Sequence, residues 1–286
     1  MNIIVSAIVV LAFTLLEVSG QSRIVGGDVA PSEFGSFHAS LQNVTGHHVC
    51  GGVVISEWLV ITAAHCVYQV DPTYIKVVSG TSNLNNGGIQ NNVTEIIVHD
   101  EYNNVTSEND IALIKMATPF DMSYIRVLKF RTRTLEEGEE VSLSGFGSEE
   151  PNGPSSCDMR VLNLTVFNQN TCEYAMRYSQ RTITDRMFCT FSKIGEGTCH
   201  GDSGGPIVKD SELVGVISWG IPCALGFPDV HTRITPYLKW IQEHIRQMYC
   251  LNRRSPLNLL RRLEEIAKYT ADVPKGLANL LEMERT

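Results

Sequence analysis

The chain has 286 residues, of which 43% are hydrophobic, and its formal net charge is −8 at pH 7. This length and this apolar content are sufficient for the buried core of one or two domains. The acidic balance argues against nucleic acid, and against an anionic membrane surface, as the main partner.

The first twenty residues have the pattern of a secretory signal peptide. Residues 3–16 form an apolar run without charge, and Val18, Ser19 and Gly20 follow it as a cleavage region. The basic residues that usually precede the apolar run of a signal peptide are missing. The run is nevertheless short for a membrane span, which favours cleavage over anchoring. We therefore predict that residues 1–20 are removed and that the mature chain is secreted and extracellular.

Cysteine usage and glycosylation motifs agree with this compartment. The chain contains eight cysteines, and a secreted chain with this number is expected to form disulfides. Four Asn-x-Ser/Thr motifs predict candidate glycan sites on exposed segments. They begin at Asn43, Asn92, Asn104 and Asn163.

Short apolar or alternating segments, separated by Gly, Asn and Pro, recur along most of the chain. Strands this short and this frequent predict an all-β fold, a sandwich or a barrel. The segments are residues 53–61, 75–78, 95–98, 111–115, 141–143, 207–208 and 213–218.

The C-terminal part is different, because its apolar residues recur at helical spacing. Residues 236–245 predict one helix. Beyond it, Pro256 and Pro274 open two further helical candidates. Two interpretations of this tail stay open: it is loosely ordered or packs on its own domain, or it forms an amphipathic helix that binds a partner or a membrane surface.

Three separate motifs carry the residue types of nucleophilic catalysis. Residues 62–66, Thr-Ala-Ala-His-Cys, supply His65 as a base, and residues 109–113, Asn-Asp-Ile-Ala-Leu, supply Asp110 as an acid. Residues 201–206, Gly-Asp-Ser-Gly-Gly-Pro, supply Ser203. A serine hydroxyl needs a base to accept its proton and donors to stabilise the oxyanion, and neighbouring glycines allow a tight turn with exposed N–H groups. Each motif alone is commonly structural, but their order His, Asp, Ser is that of one known triad.

A fourth motif precedes them, because Arg23 is followed by Ile-Val-Gly-Gly at residues 24–27. Together the four motifs resemble the chymotrypsin/trypsin-like serine peptidase family, and the residues are most similar to insect chymotrypsin-like proteases. The resemblance implies two packed antiparallel six-stranded β-barrels with a C-terminal helix, and an active site in the crevice between the barrels.

The resemblance also implies roles for these residues. His65, Asp110 and Ser203 correspond to the catalytic triad, and the N–H groups of Gly201 and Ser203 to the oxyanion hole. Cleavage after Arg23 by a trypsin-like protease implies a new N-terminus at Ile24, which pairs with Asp202 in active family members. Ser40 and His48 resemble the pair that holds this carboxylate in zymogens.

The substrate-binding residues show one departure from trypsins. The aspartate that trypsins carry six residues before the nucleophile is replaced here by Gly197, whereas Asp229 stands where glycine is usual. This exchange predicts apolar or broad specificity with secondary cleavage after basic residues. The residues implied to bind substrate are Gly197, Thr198, His200, Ser218, Trp219, Gly220 and Asp229.

The resemblance further implies three disulfides, which are Cys50–Cys66, Cys172–Cys189 and Cys199–Cys223. For Cys157 and Cys250, pairing with each other, free thiols and a bridge to another chain all stay open. No cofactor or metal is expected, and the expected partners are protein or peptide substrates, the activating protease and protein inhibitors.

The predicted organisation is a signal peptide at 1–20, an activation propeptide at 21–23, a peptidase domain at 24–247 and an extension at 248–286. The predicted function is a secreted zymogen of a serine endopeptidase, most simply digestive. The alternatives are a venom or immune regulatory protease and a non-catalytic homologue that acts as a binding module.

Overall fold

The computed structural model describes residues 24–251, without the side chains of 249–251. The predicted signal peptide, Arg23 and the two helical candidates after Pro256 lie outside the described residues. No helix within the described range is long and apolar enough to cross a membrane.

Fourteen strands and two α-helices make up the described part of the chain. The strands are β1 (Asp28–Val29), β2 (His38–Asn43), β3 (His48–Val54), β4 (Leu59–Thr62), β5 (Ile75–Ser79), β6 (Ile89–Val98), β7 (Ala112–Met116), β8 (Lys129–Phe130), β9 (Glu140–Gly145), β10 (Arg160–Phe167), β11 (Met187–Phe191), β12 (Pro206–Lys209), β13 (Glu212–Trp219) and β14 (Asp229–Arg233). The helices are α1 (Gln169–Met176) and α2 (Leu238–Leu251), and short 3₁₀ turns cover Ser32–Ser36, Ala64–Cys66, Pro72–Tyr74 and Thr235–Tyr237.

These strands form two closed antiparallel barrels of six strands each, which confirms the predicted fold. The first barrel closes in the order β2-β3-β4-β7-β6-β5. The second runs β10-β11-β14-β13-β12-β9 and closes through the pairing of β9 with β10. The short strands β1 and β8 add to the second sheet, on β10 and on β13.

The local sequence explains the strands through its alternation. In β10, Leu162, Leu164 and Val166 are buried while Asn163 and Thr165 are exposed. Successive side chains of a strand point to opposite faces, so this period of two turns one face of β10 into the barrel core. The segment 53–61, predicted as one β segment, is divided between β3 and β4, because residues 55–58 form the turn between them.

A shared hydrophobic cluster joins the two barrels to the C-terminal helix. It contains Ile61 from the first barrel, Val216 from the second, and Ile241, Ile245 and Met248 from α2. The predicted helix is therefore present, but it continues to Leu251, four residues beyond the predicted domain boundary at 247. The cluster fixes the two barrels relative to each other and so fixes the crevice between them.

Candidate active site

His65 and Asp110 are held together by two hydrogen bonds within the first barrel. His65 lies in the 3₁₀ turn after β4, and its Nδ1 is 2.8 Å from Asp110 Oδ2. The backbone N–H of His65 donates to the other carboxylate oxygen, also at 2.8 Å. Asp110 thus orients both the ring and the backbone of the histidine, and leaves Nε2 without a bond to this carboxylate.

The second barrel holds Asp110 in turn. Ser218 Oγ, at the end of β13, donates to Asp110 Oδ2 at 2.5 Å, and Thr232 Oγ1 of β14 donates to the Asp110 carbonyl at 2.8 Å. Sequence reasoning assigned Ser218 to substrate binding and did not identify Thr232. These contacts join residues more than 100 positions apart, so no local pattern reveals them.

Ser203 lies in the tight turn between Cys199 and β12, and this turn is packed against the first barrel. Its carbonyl accepts a hydrogen bond from Gly51 N–H at 2.7 Å. Gly204 has φ +81°, and a Cβ there would collide with the Thr62 side chain and the Gly51 carbonyl, so the turn requires glycine. Ser203 is half-buried beside the crevice.

Ser203 and His65 are not joined by a hydrogen bond in this structure. The Ser203 hydroxyl forms no hydrogen bond with the described residues, and His65 Nε2 lies 3.8 Å from Cys66 Sγ. In unliganded enzymes such bonds are commonly long and shorten when substrate binds. The structure therefore brings His65 and Asp110 together, and among the described residues it shows no hydrogen bond from either of them to Ser203.

Two backbone donors beside Ser203 have no acceptor among residues 24–251. They are the N–H groups of Gly201 and Ser203, and Gly201 adopts φ +96°. The Gly201 carbonyl is bound by His48 Nε2 at 2.9 Å, and His48 Nδ1 is 2.8 Å from Ser40 Oγ. The Gly201 N–H shares its planar peptide group with the His200 carbonyl, which accepts a hydrogen bond from the Ser148 N–H at 2.7 Å. This bond orients one potential oxyanion donor.

The resemblance to zymogens implied that Ser40 and His48 bind the carboxylate of Asp202. In this structure their partner is Gly201, because the carboxylate already accepts hydrogen bonds from the N–H groups of Gly147 and Cys199, both at 2.9 Å. Burial lowers the pKa of His48 to about 4, so its ring is neutral at pH 7.

A second buried histidine, which the sequence analysis missed, lies beside this pair. His38 Nε2 is 3.1 Å from the Ser144 carbonyl, so β2 of the first barrel is joined to β9 of the second. The Phe146 ring packs edge-on against both His38 and His48. Burial, and then the neighbouring His48, lowers the pKa of His38 to about 3. A neutral histidine in a strand has no distinctive sequence signal.

Asp202 and Ile24 occupy the interior of the second barrel. Asp202 is fully buried, and desolvation raises its pKa to about 7, against the two N–H donors that lower it, with Asp229 adding to the rise. Ile24 is also fully buried, in the cluster that contains Leu143 and Ile207. A buried carboxylate is costly without a cation or proton, so this site is suited to a positive partner.

A pocket of about 230 Å³ opens beside Ser203. Most of the residues predicted to bind substrate line it. Gly201 and Ser203, whose N–H groups have no acceptor among the described residues, line it too. The lining residues are Thr198, Cys199, His200, Gly201, Ser203, Ile217, Ser218, Trp219, Gly220 and Pro222.

Asp229, predicted at the base of this pocket, lies behind the lining. Its side chain is only 4% exposed, and its two oxygens accept hydrogen bonds from Thr198 N–H at 2.8 Å and Thr198 Oγ1 at 2.7 Å. Burial raises the pKa of Asp229 to about 6, although both bonds from Thr198 lower it. The carboxylate therefore acts on the pocket from behind Thr198, which lines it.

Three disulfides brace the site and its surroundings. They join Cys50 to Cys66, Cys172 to Cys189 and Cys199 to Cys223. Cys157 is exposed and forms no disulfide with a described side chain, and the side chain of Cys250 lies outside the described residues. The sulfurs of Cys50 and Cys66 lie within 4.8 Å of a ring nitrogen of His65, but they form a disulfide with each other and so are not thiolate ligands.

The candidate glycan sites differ in environment. Asn92, Asn104 and Asn163 are exposed. Asn43 is half-buried, and its side-chain oxygen accepts hydrogen bonds from Thr45 and from the His47 N–H within one turn. The three exposed positions are the more accessible to a glycosylating enzyme.

Comparison with known proteins agrees with the fold. The sequence model of the trypsin family matches residues 24–241. Chymotrypsin-2 of Vespa crabro is 37% identical over 225 residues, which cover 77% of this chain and 99% of that protein. Trypsin of Phaedon cochleariae is 33% identical over 236 residues, 80% of this chain and 90% of that protein.

A third relative, trypsin 5G1 of Aedes aegypti, is 37% identical over 228 residues, 78% of this chain and 85% of that protein. Two closed six-stranded barrels are the architecture of the chymotrypsin fold, which defines the class. The chain belongs to the trypsin family of serine peptidases.

Proposed function

We propose that this chain is a serine endopeptidase that hydrolyses peptide bonds with the triad His65, Asp110 and Ser203. The observation that carries the proposal is the double hydrogen bond of Asp110 to His65, at 2.8 Å each, opposite a serine in a glycine-bounded turn. In this mechanism Ser203 Oγ attacks the substrate carbonyl carbon while His65 Nε2 accepts its proton.

The steps that follow use the same groups. The N–H groups of Gly201 and Ser203 stabilise the oxyanion of the tetrahedral intermediate, where one such donor is worth roughly 3 kcal/mol. His65 then gives its proton to the leaving amine, and an acyl-enzyme remains on Ser203. Water attacks this ester with His65 as base, and the acid product leaves.

The chain is proposed to be made as a secreted zymogen. Residues 1–20 are its signal peptide, and residues 21–23 its propeptide, which a trypsin-like protease removes by cleavage after Arg23. The new ammonium group of Ile24 pairs with Asp202. The complete burial of both Ile24 and Asp202, and the raised pKa of that carboxyl, support this pairing.

The specificity is proposed to be chymotrypsin-like or broad at P1, the residue whose carbonyl is attacked. Gly197 leaves the pocket without a charge of its own, so medium and large apolar side chains enter. Asp229 contributes a carboxylate behind Thr198, which favours secondary cleavage after Lys and Arg. A pocket that accepts both classes is suited to general protein digestion, and we propose an extracellular digestive role.

Serine-directed labelling tests the enzyme assignment. After cleavage at Arg23, a fluorophosphonate probe should label Ser203, and Ser203→Ala should lose on the order of 10⁶ in turnover. Ser123→Ala is the matched control, because this exposed hydroxyl bonds only within its own turn. If Ser203→Ala keeps full peptidase activity the assignment is wrong. If the cleaved, folded protein neither reacts with the probe nor hydrolyses peptides, it is a non-catalytic binding module.

A further inference from the structure

Arg181 lies over the indole of Trp219, at the edge of the pocket that contains Ser203. Its guanidinium carbon is 4.9 Å from the centroid of the Trp219 ring. Trp219 lies between Ser218 and Gly220, and all three residues line the pocket. The cation therefore lies next to a segment that is predicted to bind substrate.

Arg181 also acts on a second aromatic residue of the crevice, Tyr102. The Tyr102 ring packs edge-on against Tyr68, with ring centroids 5.3 Å apart. Burial raises the pKa of the Tyr102 phenol to about 12, Asp110 adds to the rise, and Arg181 opposes it. The positive field of Arg181 thus extends over the part of the crevice near the triad carboxylate.

The guanidinium of Arg181 has no carboxylate partner among the described residues, although the chain as a whole carries a net charge of −8. The hydrogen bond of this residue within that range comes from its backbone N–H, which donates to Ser179 Oγ. A guanidinium offers five N–H donors, and its position over the Trp219 ring holds this one at the edge of the pocket. The half-buried residue therefore presents a positioned cation with free donors.

In a substrate whose P1 side chain enters the pocket beside Ser203, the preceding residues follow at about 3.3 Å each and so come within reach of Trp219 and of Arg181 above it. We propose that Arg181 selects substrates with Asp or Glu at P2, P3 or P4, on the N-terminal side of the cleaved bond. This inference rests on the proposed function and defines a substrate class for the same site. The preference is an attraction between charges at a partly solvated surface, so its size is modest and depends on salt.

The test compares peptides that share one P1 residue and carry Glu, Ala or Lys at P2, P3 or P4 in turn. For the parent enzyme at low salt, we expect kcat/KM for Glu to exceed that for Ala by about twofold to fivefold in at least one position. The value of kcat/KM for Lys at that position should be lower than that for Ala. In 1 M salt, where the Debye length is about 3 Å, the Glu/Ala ratio should approach one.

Three variants assign this ratio to Arg181. Arg181→Gln should bring the Glu/Ala ratio to one, and Arg181→Lys should keep part of it, since the charge remains but the planar stacking is lost. Arg177→Gln is the matched control. Arg177 belongs to the same segment, 174–181, and stacks on Tyr174 and Tyr178 rather than on Trp219.

The outcomes separate this inference from the proposed function. If no peptide in the set is cleaved, the proposed function fails. If peptides are cleaved with equal efficiency for Glu, Ala and Lys, Arg181 is a structural cover for Trp219 and the inference is overturned. It is overturned too if Arg177→Gln lowers the ratio as much as Arg181→Gln, because the effect is then one of overall charge.

Discussion

The carboxylate of Asp229 occupies the space that a side chain on Gly197 would require. A Cβ added to Gly197 would lie 2.9 Å from Asp229 Oδ2, which is closer than such contacts occur. Gly197 precedes the nucleophile by six residues, whereas Asp229 begins β14. The aspartate at position 229 therefore requires a glycine at position 197. Together the two residues bring a carboxylate to the pocket from another strand.

This arrangement predicts the effect of removing the carboxylate. In Asp229→Gly the cleavage after Lys and Arg should be lost while cleavage after Leu and Phe continues, because only the basic residues gain from the negative charge. Asp229→Asn is the matched variant, since its amide oxygen still accepts a bond from Thr198. The test is to measure kcat/KM of the parent enzyme and both variants for substrates with Lys, Arg, Leu or Phe at P1. A parent enzyme that strictly prefers Arg, or an unchanged P1 profile in both variants, contradicts this account.

The raised pKa of Asp229, about 6, predicts a pH-dependent specificity. Below this pH the carboxyl is mainly protonated and neutral, and above it the group is ionised and attracts a cation. The ratio of kcat/KM for Lys to that for Leu at P1 should therefore rise between pH 5 and pH 7. Any effect of pH on catalysis that is the same for both substrates cancels in this ratio. A flat or falling ratio in the parent enzyme would exclude a titrating carboxylate at the pocket.

Activation should depend on the new N-terminus at Ile24. Arg23→Gln should give a zymogen that trypsin cannot activate, whereas Arg133→Gln, at an exposed arginine within the domain, should be activated normally. An α-amino group has a reference pKa of about 7.7–8.0, which a buried carboxylate partner raises. Activity of the cleaved enzyme should thus fall at high pH as the ammonium loses its proton. N-terminal sequencing alongside the activity assay checks this, and full activity of uncleaved protein would refute it.

The end of α2 sets how much of the C-terminal extension can be removed. Met248 belongs to the core cluster and is 6% exposed, and truncation of a buried Met side chain typically costs roughly 2–5 kcal/mol. A chain ending at Gln247 should therefore unfold at a lower temperature than the full chain. A chain ending at Leu251 keeps Met248, and its peptide hydrolysis should stay within a few-fold of full length. A loss above tenfold in the longer truncation would show that the tail contributes to the fold or the site.

The sequence by itself was sufficient to predict the fold, and it supplied the residues that we propose for the chemistry of the site. Short alternating strands such as β10 follow from a period of two, because burial on one face is a local property. The motifs around His65, Asp110 and Ser203 were identifiable because particular neighbours accompany them, such as the glycines beside Ser203. The activation motif was identifiable because a cleavable arginine precedes two aliphatic residues.

The tertiary structure decided the contacts between residues that are far apart in the sequence. Ser218 and Thr232 on Asp110, His48 on Gly201, and Arg181 on Trp219 join residues from 38 to 153 positions apart. Such pairs carry no sequence period, because they arise only when closed barrels bring distant strands together. The same reason explains Asp229: its sequence position marked a departure from trypsins, but only packing against Thr198 shows that both carboxylate oxygens are already bound behind the pocket.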